Sequence, residues 1–125
     1  MSYYLAIALG GAFGAVCRYW LISLAERHNT GLFPVGTLAV NVVGSLLIGI
    51  LFVMLTEKIQ LAAYLRPLLV IGFLGALTTF STFSLDALLL MQQGLFFSAL
   101  SYIVASVVSC ILAAWAGMSL VRYVI

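Results

Sequence analysis

Four long apolar runs alternate with short polar stretches along the chain. Each run is close to the roughly 20 residues that an α-helix needs to cross the hydrocarbon of a bilayer. The runs are continuous and do not alternate in polarity, as the strands of a membrane β-barrel would. The pattern therefore predicts an all-α membrane protein with a single four-helix domain over residues 1–125. The predicted spans cover about 3–24, 37–55, 67–91 and 97–122.

The composition indicates that lipid is the solvent of this chain. Hydrophobic residues make up 66% of it and charged residues only 6%, whereas a soluble domain carries about 25% charged residues. Five basic and three acidic side chains cannot cover a globular surface, which excludes an ordinary soluble enzyme, a disordered chain and a nucleic-acid-binding protein. No pair of nucleophile and base and no metal-ligand cluster supports an enzyme of another kind.

Basic residues near the span ends give almost no orientation signal. Lys58, Arg66 and Arg122 would lie on the side of the N-terminus, and Arg27, with Arg18, on the other side. Either this weak bias still sets one orientation, or the chain inserts both ways up, which would permit an antiparallel dimer. The length also favours an oligomer, because four thin spans leave little room to enclose a water-lined path.

Small residues recur at helical spacing in the first and last spans. Gly10 and Gly14 form a GxxxG pair, a pattern that lets helix backbones approach closely. The last span repeats small residues every four positions, at Ser101, Ala105, Ser109, Ala113 and Gly117. Packing within one subunit and packing in a dimer interface are equally good interpretations of these patterns.

A second stripe on the last span carries hydroxyl and thiol groups, at Ser98, Tyr102, Ser106 and Cys110. Residues four apart share one face of a helix, so these side chains form a track. The track either lines a path or bonds back to the carbonyls of its own helix, as Ser and Thr often do in membrane helices.

The segment 72–84 does not fit an ordinary membrane helix. It places two glycines before five hydroxyl residues and two phenylalanines near the middle of the third span. Gly, Ser and Thr are poor helix formers, so we expect the third helix to be broken there, with a continuous Ser/Thr-rich helix as the alternative. A break frees backbone carbonyls, which hydrocarbon tolerates only where they are buried in protein, line water or hold an ion. In an antiparallel pair of chains, two breaks would meet and offer carbonyls to one small monovalent cation with a structural role.

Aromatic and polar side chains near this segment are candidates for an ion path. Phe80 and Phe83 lie three apart, and the positive edges of their rings can contact a small anion. Asn41, the amide inside a predicted span, can donate two hydrogen bonds. The alternatives are phenylalanines that face lipid or the core, and an amide that only joins two helices. Arg18 and Asp86 are intramembrane charges, which we expect in a vestibule or in a structural role unless they pair with each other.

Three motifs of the chain are GGAFGAVCRY at 10–19, GTLAVN at 36–41 and GFLGALTTFSTFS at 72–84. They resemble, in order and over essentially the whole chain, the motifs of the small bacterial fluoride channels called CrcB or Fluc. The resemblance implies an antiparallel, dual-topology homodimer in the bacterial inner membrane, with two pores that export fluoride passively. It also implies a structural sodium ion, held by the backbone carbonyls that match Gly75 and Thr78.

The same resemblance assigns the fluoride path to one amide, two rings and two hydroxyl residues, at Asn41, Phe80, Phe83, Tyr102 and Ser106. Two positions depart from the family pattern. Cys110 stands where some members have a further hydroxyl, and Ala76 replaces a second glycine that is common in the third motif. The first departure puts one contact of the track in doubt, whereas the backbone can still break beside Ala76.

Two other functions compete with a fluoride channel. A small multidrug transporter also has four spans and often dual topology, but its proton–cation exchange needs an acidic residue in the first span, where this chain has Arg18 and no acid. A membrane assembly subunit that transports nothing would leave the broken third span without an explanation.

Overall fold

The structure is a computed structural model that describes residues 2–58 and 63–124, and every regular element within these ranges is helical. The helices are α1 (Tyr3–Glu26), α2 (Val35–Val53), α3 (Gly75–Leu77), α4 (Phe80–Gln92) and α5 (Phe96–Val124). Wider, π-helical turns extend α2 over Met54–Lys58 and precede α3 over Pro67–Leu74. The polar loop that ends the second run falls partly outside the described residues, at positions 59 and 60.

Among the described residues, four helical stretches are long and apolar enough to cross a membrane, over Tyr3–Glu26, Val35–Glu57, Pro67–Gln92 and Phe96–Val124. The predicted bounds differ from these by two residues or fewer, and the prediction of four helices capable of spanning a membrane is confirmed. Each stretch buries only a minority of its residues inside the chain. The large apolar side chains left on the outside are what lipid, or a second protein surface, would cover.

The first half of the third span packs on α1, and α2 packs along α5. A side chain at Gly14 would overlap the carbonyl of Phe73, and one at Gly10 would overlap the carbonyl of Leu68. On the other side of the bundle, a side chain at Gly117 would overlap the carbonyl of Leu46. The structure therefore places these three glycines where helix backbones touch within one chain.

The other small residues of the last span are less enclosed. Ala105, Ser109 and Ala113 are half-buried, while Ser101 is exposed. The hydroxyl of Ser109 donates to the carbonyls of its own helix at Ala105 and Ser106. These positions leave a face of small residues on α5 that is only partly covered by the same chain.

The third span is broken at Thr78 and Thr79, so the alternative of a continuous helix is wrong. Thr78 has φ −83° and ψ 158°, and Thr79 has φ −151° and ψ 118°, which are extended conformations. The break lies slightly later than the glycines that helped to predict it, because Gly72 and Gly75 remain helical. Gly72 instead allows close contact with α1, since a side chain there would lie 2.6 Å from the Ile7 carbonyl oxygen.

A tight turn returns the chain from α4 to α5. Gly94 has φ 77°, a left-handed conformation that favours glycine, and its N–H donates to the Met91 carbonyl at 3.0 Å. The Leu95 N–H then donates to the Leu90 carbonyl at 2.9 Å, which closes the end of α4. The two helices thereby face each other through a buried cluster of side chains at Phe83, Ala87, Leu90, Ala99 and Tyr102.

Candidate functional site

The amide of Asn41 clasps the break in the third span. Its Oδ1 accepts a hydrogen bond from the Thr79 N–H at 2.8 Å, and its Nδ2 donates to the Thr79 carbonyl at 3.0 Å. One side chain on α2 thus satisfies both backbone groups of a residue that has left the helix, where hydrocarbon would satisfy neither. The second hydrogen on Nδ2 is additional to this pair of bonds.

The hydrogen bonds of Asn41 also remove the helical partner of the Gly75 carbonyl. In a continuous helix, the N–H of Thr79 would bond to the carbonyl four residues earlier, at Gly75. That N–H is turned to Asn41 instead. The Gly75 carbonyl is therefore released from the helical ladder on a residue that is exposed at the surface of the chain.

The Thr78 carbonyl is released by the cap of the following helix. The N–H of Thr82 would bond to Thr78 in a continuous helix, but it donates to the Thr79 hydroxyl at 3.2 Å. The Thr78 carbonyl instead accepts a hydrogen bond from Arg18 Nη1 at 3.5 Å, the long limit of such a bond. Both carbonyls predicted to hold a cation are thus released from the helical ladder, and that of Thr78 keeps a long contact with Arg18.

A cavity of about 310 Å³ opens directly beside the break. It brings together five of the predicted site residues, at Asn41, Thr78, Phe80, Phe83 and Ser106. Cys110 also lines it, one turn beyond Ser106 on α5. Polar groups of α2, the break and α5 therefore converge on one space that the rings of α4 close from the side.

Ser106 places a buried hydroxyl group at this cavity. Its side chain is 5% exposed, and its Oγ has no hydrogen-bond partner among the residues that the structure describes. A buried hydroxyl without a protein partner costs free energy unless a water or a ligand bonds to it. Ser106 thus offers a donor to whatever occupies the cavity.

Three aromatic rings lead from the break towards one end of the bundle. The centroids of Phe80 and Phe83 are 5.3 Å apart, and those of Phe83 and Tyr102 are also 5.3 Å apart. Phe80 is 78% exposed, whereas Phe83 and Tyr102 are buried. Tyr102 lies behind Phe83 rather than on the cavity wall, and its hydroxyl donates to Asp86 Oδ2 at 3.3 Å.

The two intramembrane charges have different partners. Arg18 reaches the carbonyl at the break, and Asp86 accepts from the Tyr102 hydroxyl on α5. Each charge therefore lies against polar groups of a neighbouring span, on opposite sides of the break along the chain.

Several residues at the site were not among the predicted ones. Thr79 caps α4 and pairs with Asn41, and its signal was present, because a hydroxyl just before a helical run is a typical cap. Gly44 and Ser45 line the cavity from α2. A side chain at Gly44 would overlap the methyl group of Thr78, so this glycine lets α2 approach the break. Nothing in the local sequence marks that contact, which joins two distant segments.

Comparison with known proteins gives evidence of the family of this chain. The family model described as CrcB-like protein, Camphor Resistance (CrcB), matches residues 5–118. The chain is 49% identical over 119 residues to the fluoride-specific ion channel FluC of Hahella chejuensis, covering 95% of this chain and 94% of that one. It is 51% identical over 116 residues to the protein of the same name from Pseudoalteromonas translucida, covering 92% and 96%. The protein of that name from Saccharophagus degradans is 52% identical over 105 residues, covering 84% and 78%.

Proposed function

Because this chain belongs to the CrcB family, whose relatives compared above are named fluoride-specific ion channels, we propose that it is a fluoride-selective channel that lets fluoride leave the cytoplasm passively. It is a multi-pass protein of the inner membrane, with four apolar helices, and its family is one of ion channels rather than enzymes. The observation that carries the proposal is the cavity beside the break, where neutral hydrogen-bond donors and aromatic rings converge.

Fluoride is small and strongly hydrated, so the main barrier to its passage is the loss of water. The remaining hydrogen of Asn41 Nδ2 and the unpaired hydroxyl of Ser106 replace part of that water. The ring edges of Phe80 and Phe83 contribute positive electrostatic potential without a charge. Neutral groups bind the anion weakly enough to release it again, and we propose that the path past these groups is too narrow for the larger chloride ion.

We further propose that two copies assemble antiparallel, with their breaks in contact and one fluoride path on each side. Phe80 supports this, because a ring that lines the cavity is 78% exposed on the single chain and a second copy would cover it. The weak bias of basic residues supports insertion in both orientations.

The two released carbonyls fit a structural sodium ion at the meeting point of the breaks. Carbonyl oxygens are hard, neutral ligands of the kind that small monovalent cations accept, and Gly75 and Thr78 each supply one from a carbonyl outside the helical ladder. The Thr78 oxygen keeps a second lone pair beside the long contact from Arg18, but the guanidinium charge opposes a second cation, so sodium binding requires Arg18 to turn away. A bound sodium would supply positive charge between the two paths and hold the copies together.

Passive export protects a cell for a simple chemical reason. Hydrogen fluoride crosses membranes in acid surroundings and ionises at the neutral pH of the cytoplasm, where the anion is trapped. A selective exit for the anion lowers its concentration inside without using energy.

Efflux from liposomes tests the proposed function. Purified protein is reconstituted into vesicles loaded with potassium fluoride or potassium chloride, and valinomycin balances the charge while an ion-selective electrode follows release. We expect rapid fluoride release and chloride release no faster than from protein-free vesicles. Equal release of chloride, or release of neither anion, would contradict a fluoride channel.

The molar mass of the protein in mild detergent, measured by size-exclusion chromatography with multi-angle light scattering, tests the dimer. We expect twice the mass of the chain at low protein concentration. The mass of one chain alone would overturn both the dimer and the shared sodium site.

A further inference from the structure

A fourth ring extends the aromatic series to the surface of the bundle. Phe33 lies in the loop between α1 and α2, and its half-buried ring meets Tyr102 edge to face, with centroids 5.5 Å apart and planes at 87°. Tyr102 contacts Phe83, and Phe83 contacts Phe80 at the break. We call these four residues, Phe33, Tyr102, Phe83 and Phe80, the aromatic column.

Hydrogen bonds hold the backbone of Phe33 at this place. Asn29 Nδ2 donates to the Phe33 carbonyl at 2.7 Å and also to Glu26 Oε2 at 3.0 Å. The other carboxylate oxygen, Glu26 Oε1, accepts from the Gly36 N–H at 2.9 Å. The last residue of α1 and the start of α2 are thereby tied together around the loop.

A tight turn directly after Phe33 adds a local constraint. Pro34 has φ −79° and ψ 74°, and the Val35 N–H donates to the Phe33 carbonyl at 2.8 Å. This is an inverse γ-turn, which fixes the direction in which the chain enters α2. The position of the Phe33 ring is therefore set by the backbone on both sides of it.

The position of Phe33 matters because of how Tyr102 is held. Tyr102 is fully buried, and its hydroxyl is bound to Asp86 at 3.3 Å. Its ring contacts Phe83 on one side and Phe33 on the other. Phe33 packs against the Tyr102 ring, so a small side chain at this position would leave space into which the ring can tilt away from Phe83.

We propose that Phe33 is a positioning residue of the ion path: it forms the outer end of the aromatic column and fixes Tyr102 and Phe83 in the arrangement that passes fluoride. The inference rests on the proposed function and deepens it, since it extends the path from the break to the α1–α2 loop. Asn29 acts through Phe33, because its side chain, itself bonded to Glu26, holds the Phe33 carbonyl.

Fluoride and chloride efflux from liposomes, each normalised to folded protein by size-exclusion chromatography, test the proposal. For Phe33→Ala we expect the fluoride rate per folded protein to fall about tenfold, the scale of one lost ring contact, while chloride release stays at the level of protein-free vesicles. Phe33→Tyr keeps the ring and should stay within about twofold of the unmodified protein. Leu32→Ala changes an exposed neighbour in the same loop and is the matched control, with unchanged rates.

Asn29→Ala provides a second variant, which keeps all four aromatic side chains and removes the hydrogen bonds that hold the Phe33 backbone. We expect it to lower the fluoride rate in the same direction by a smaller factor, about threefold. It decides the question if Phe33→Ala does not fold. A purely structural role would lower the amount of folded protein and leave the fluoride rate per folded protein unchanged.

The two proposals fail in distinguishable ways. Fluoride release by the unmodified protein together with an unchanged fluoride rate in folded Phe33→Ala would overturn this inference alone. An equal loss in Leu32→Ala would also overturn it, because the effect would then belong to the loop in general. No fluoride release by the unmodified protein would overturn the proposed function and this inference together.

Discussion

The two halves of the third span pack in opposite ways. The first half, residues 67–77, meets α1 backbone to backbone at Gly10, Gly14 and Gly72, with no room for added side chains. The second half, α4, meets α5 through side chains, with Phe83 against Tyr102. The first half therefore anchors the break in a fixed position, and the second half presents groups to the cavity.

The break lets these two roles coexist in one span. A continuous helix would carry the same ridge of side chains along its whole length, and its carbonyls would all be bonded internally. Interruption at Thr78 and Thr79 changes the packing partner from α1 to α5 and frees the carbonyls at Gly75 and Thr78. The difference between the halves can be tested at the junction, in the first half and in the second half.

Asn41→Ala should have the largest effect, because it removes the clasp at the junction. Both the N–H and the carbonyl of Thr79 would lose their partner, at about 1–3 kcal/mol for each buried group left unpaired. We expect the free energy of unfolding in detergent to fall by about 2–6 kcal/mol, measured by denaturant titration.

Ser45→Ala is the matched control, since Ser45 lies one turn further along α2 and lines the same cavity. It should change the free energy of unfolding by less than about 1 kcal/mol. Equal losses for the two variants would mean that Asn41 does not join the halves.

Gly14→Ala should have the next largest effect, in the anchored first half. Its Cβ would overlap the Phe73 carbonyl, so α1 and the third span would have to separate. We expect a loss of about 1–3 kcal/mol in the free energy of unfolding, with a lower yield of protein after extraction.

Gly11→Ala makes the same chemical change three residues away on α1. Its Cβ would meet the Gly72 carbonyl oxygen at 3.9 Å, an ordinary contact, so stability should stay at the level of the unmodified protein. If Gly14→Ala were as stable as Gly11→Ala, the backbone contact of the first half would not exist as described.

Thr79→Val should have the smallest effect of the three, because it removes one cap at the start of the second half. The Thr82 N–H would lose the Thr79 hydroxyl, and such a cap contributes about 1 kcal/mol. Thr79→Ser keeps the hydroxyl and should restore the stability, again by denaturant titration. An equal loss in both variants would mean that the hydroxyl cap is not what Thr79 contributes to stability.

The four spans and the break in the third span follow from local patterns of the sequence. Uninterrupted apolar runs predict the four spans, and the run of hydroxyl residues after two glycines predicts the broken third span. The GxxxG pair at Gly10 and Gly14 predicts a close helix contact, but its spacing does not say which helix is the partner. That partner is a segment almost sixty residues away, so only the folded chain reveals it.

The finer features of the site depend on contacts between distant residues. The break falls at Thr79 because Asn41 is there to bond its backbone, and the two residues are 38 positions apart. Phe33 stands in a polar loop, where no apolar period marks it as part of a buried cluster. Its place beside Tyr102 follows from the hydrogen bonds of Asn29 and Glu26, which the order of residues alone does not disclose.

The central claim is that the second half of the third span lines the ion path, while the first half stabilises the fold by packing against α1. Fluoride efflux from liposomes that contain Phe80→Ile or Phe83→Ile, with the elution volume measured on the same samples, tests it most directly. We predict that both variants elute with the unmodified protein and release fluoride no faster than protein-free vesicles. Fluoride release at the unmodified rate by folded protein of either variant would contradict the claim.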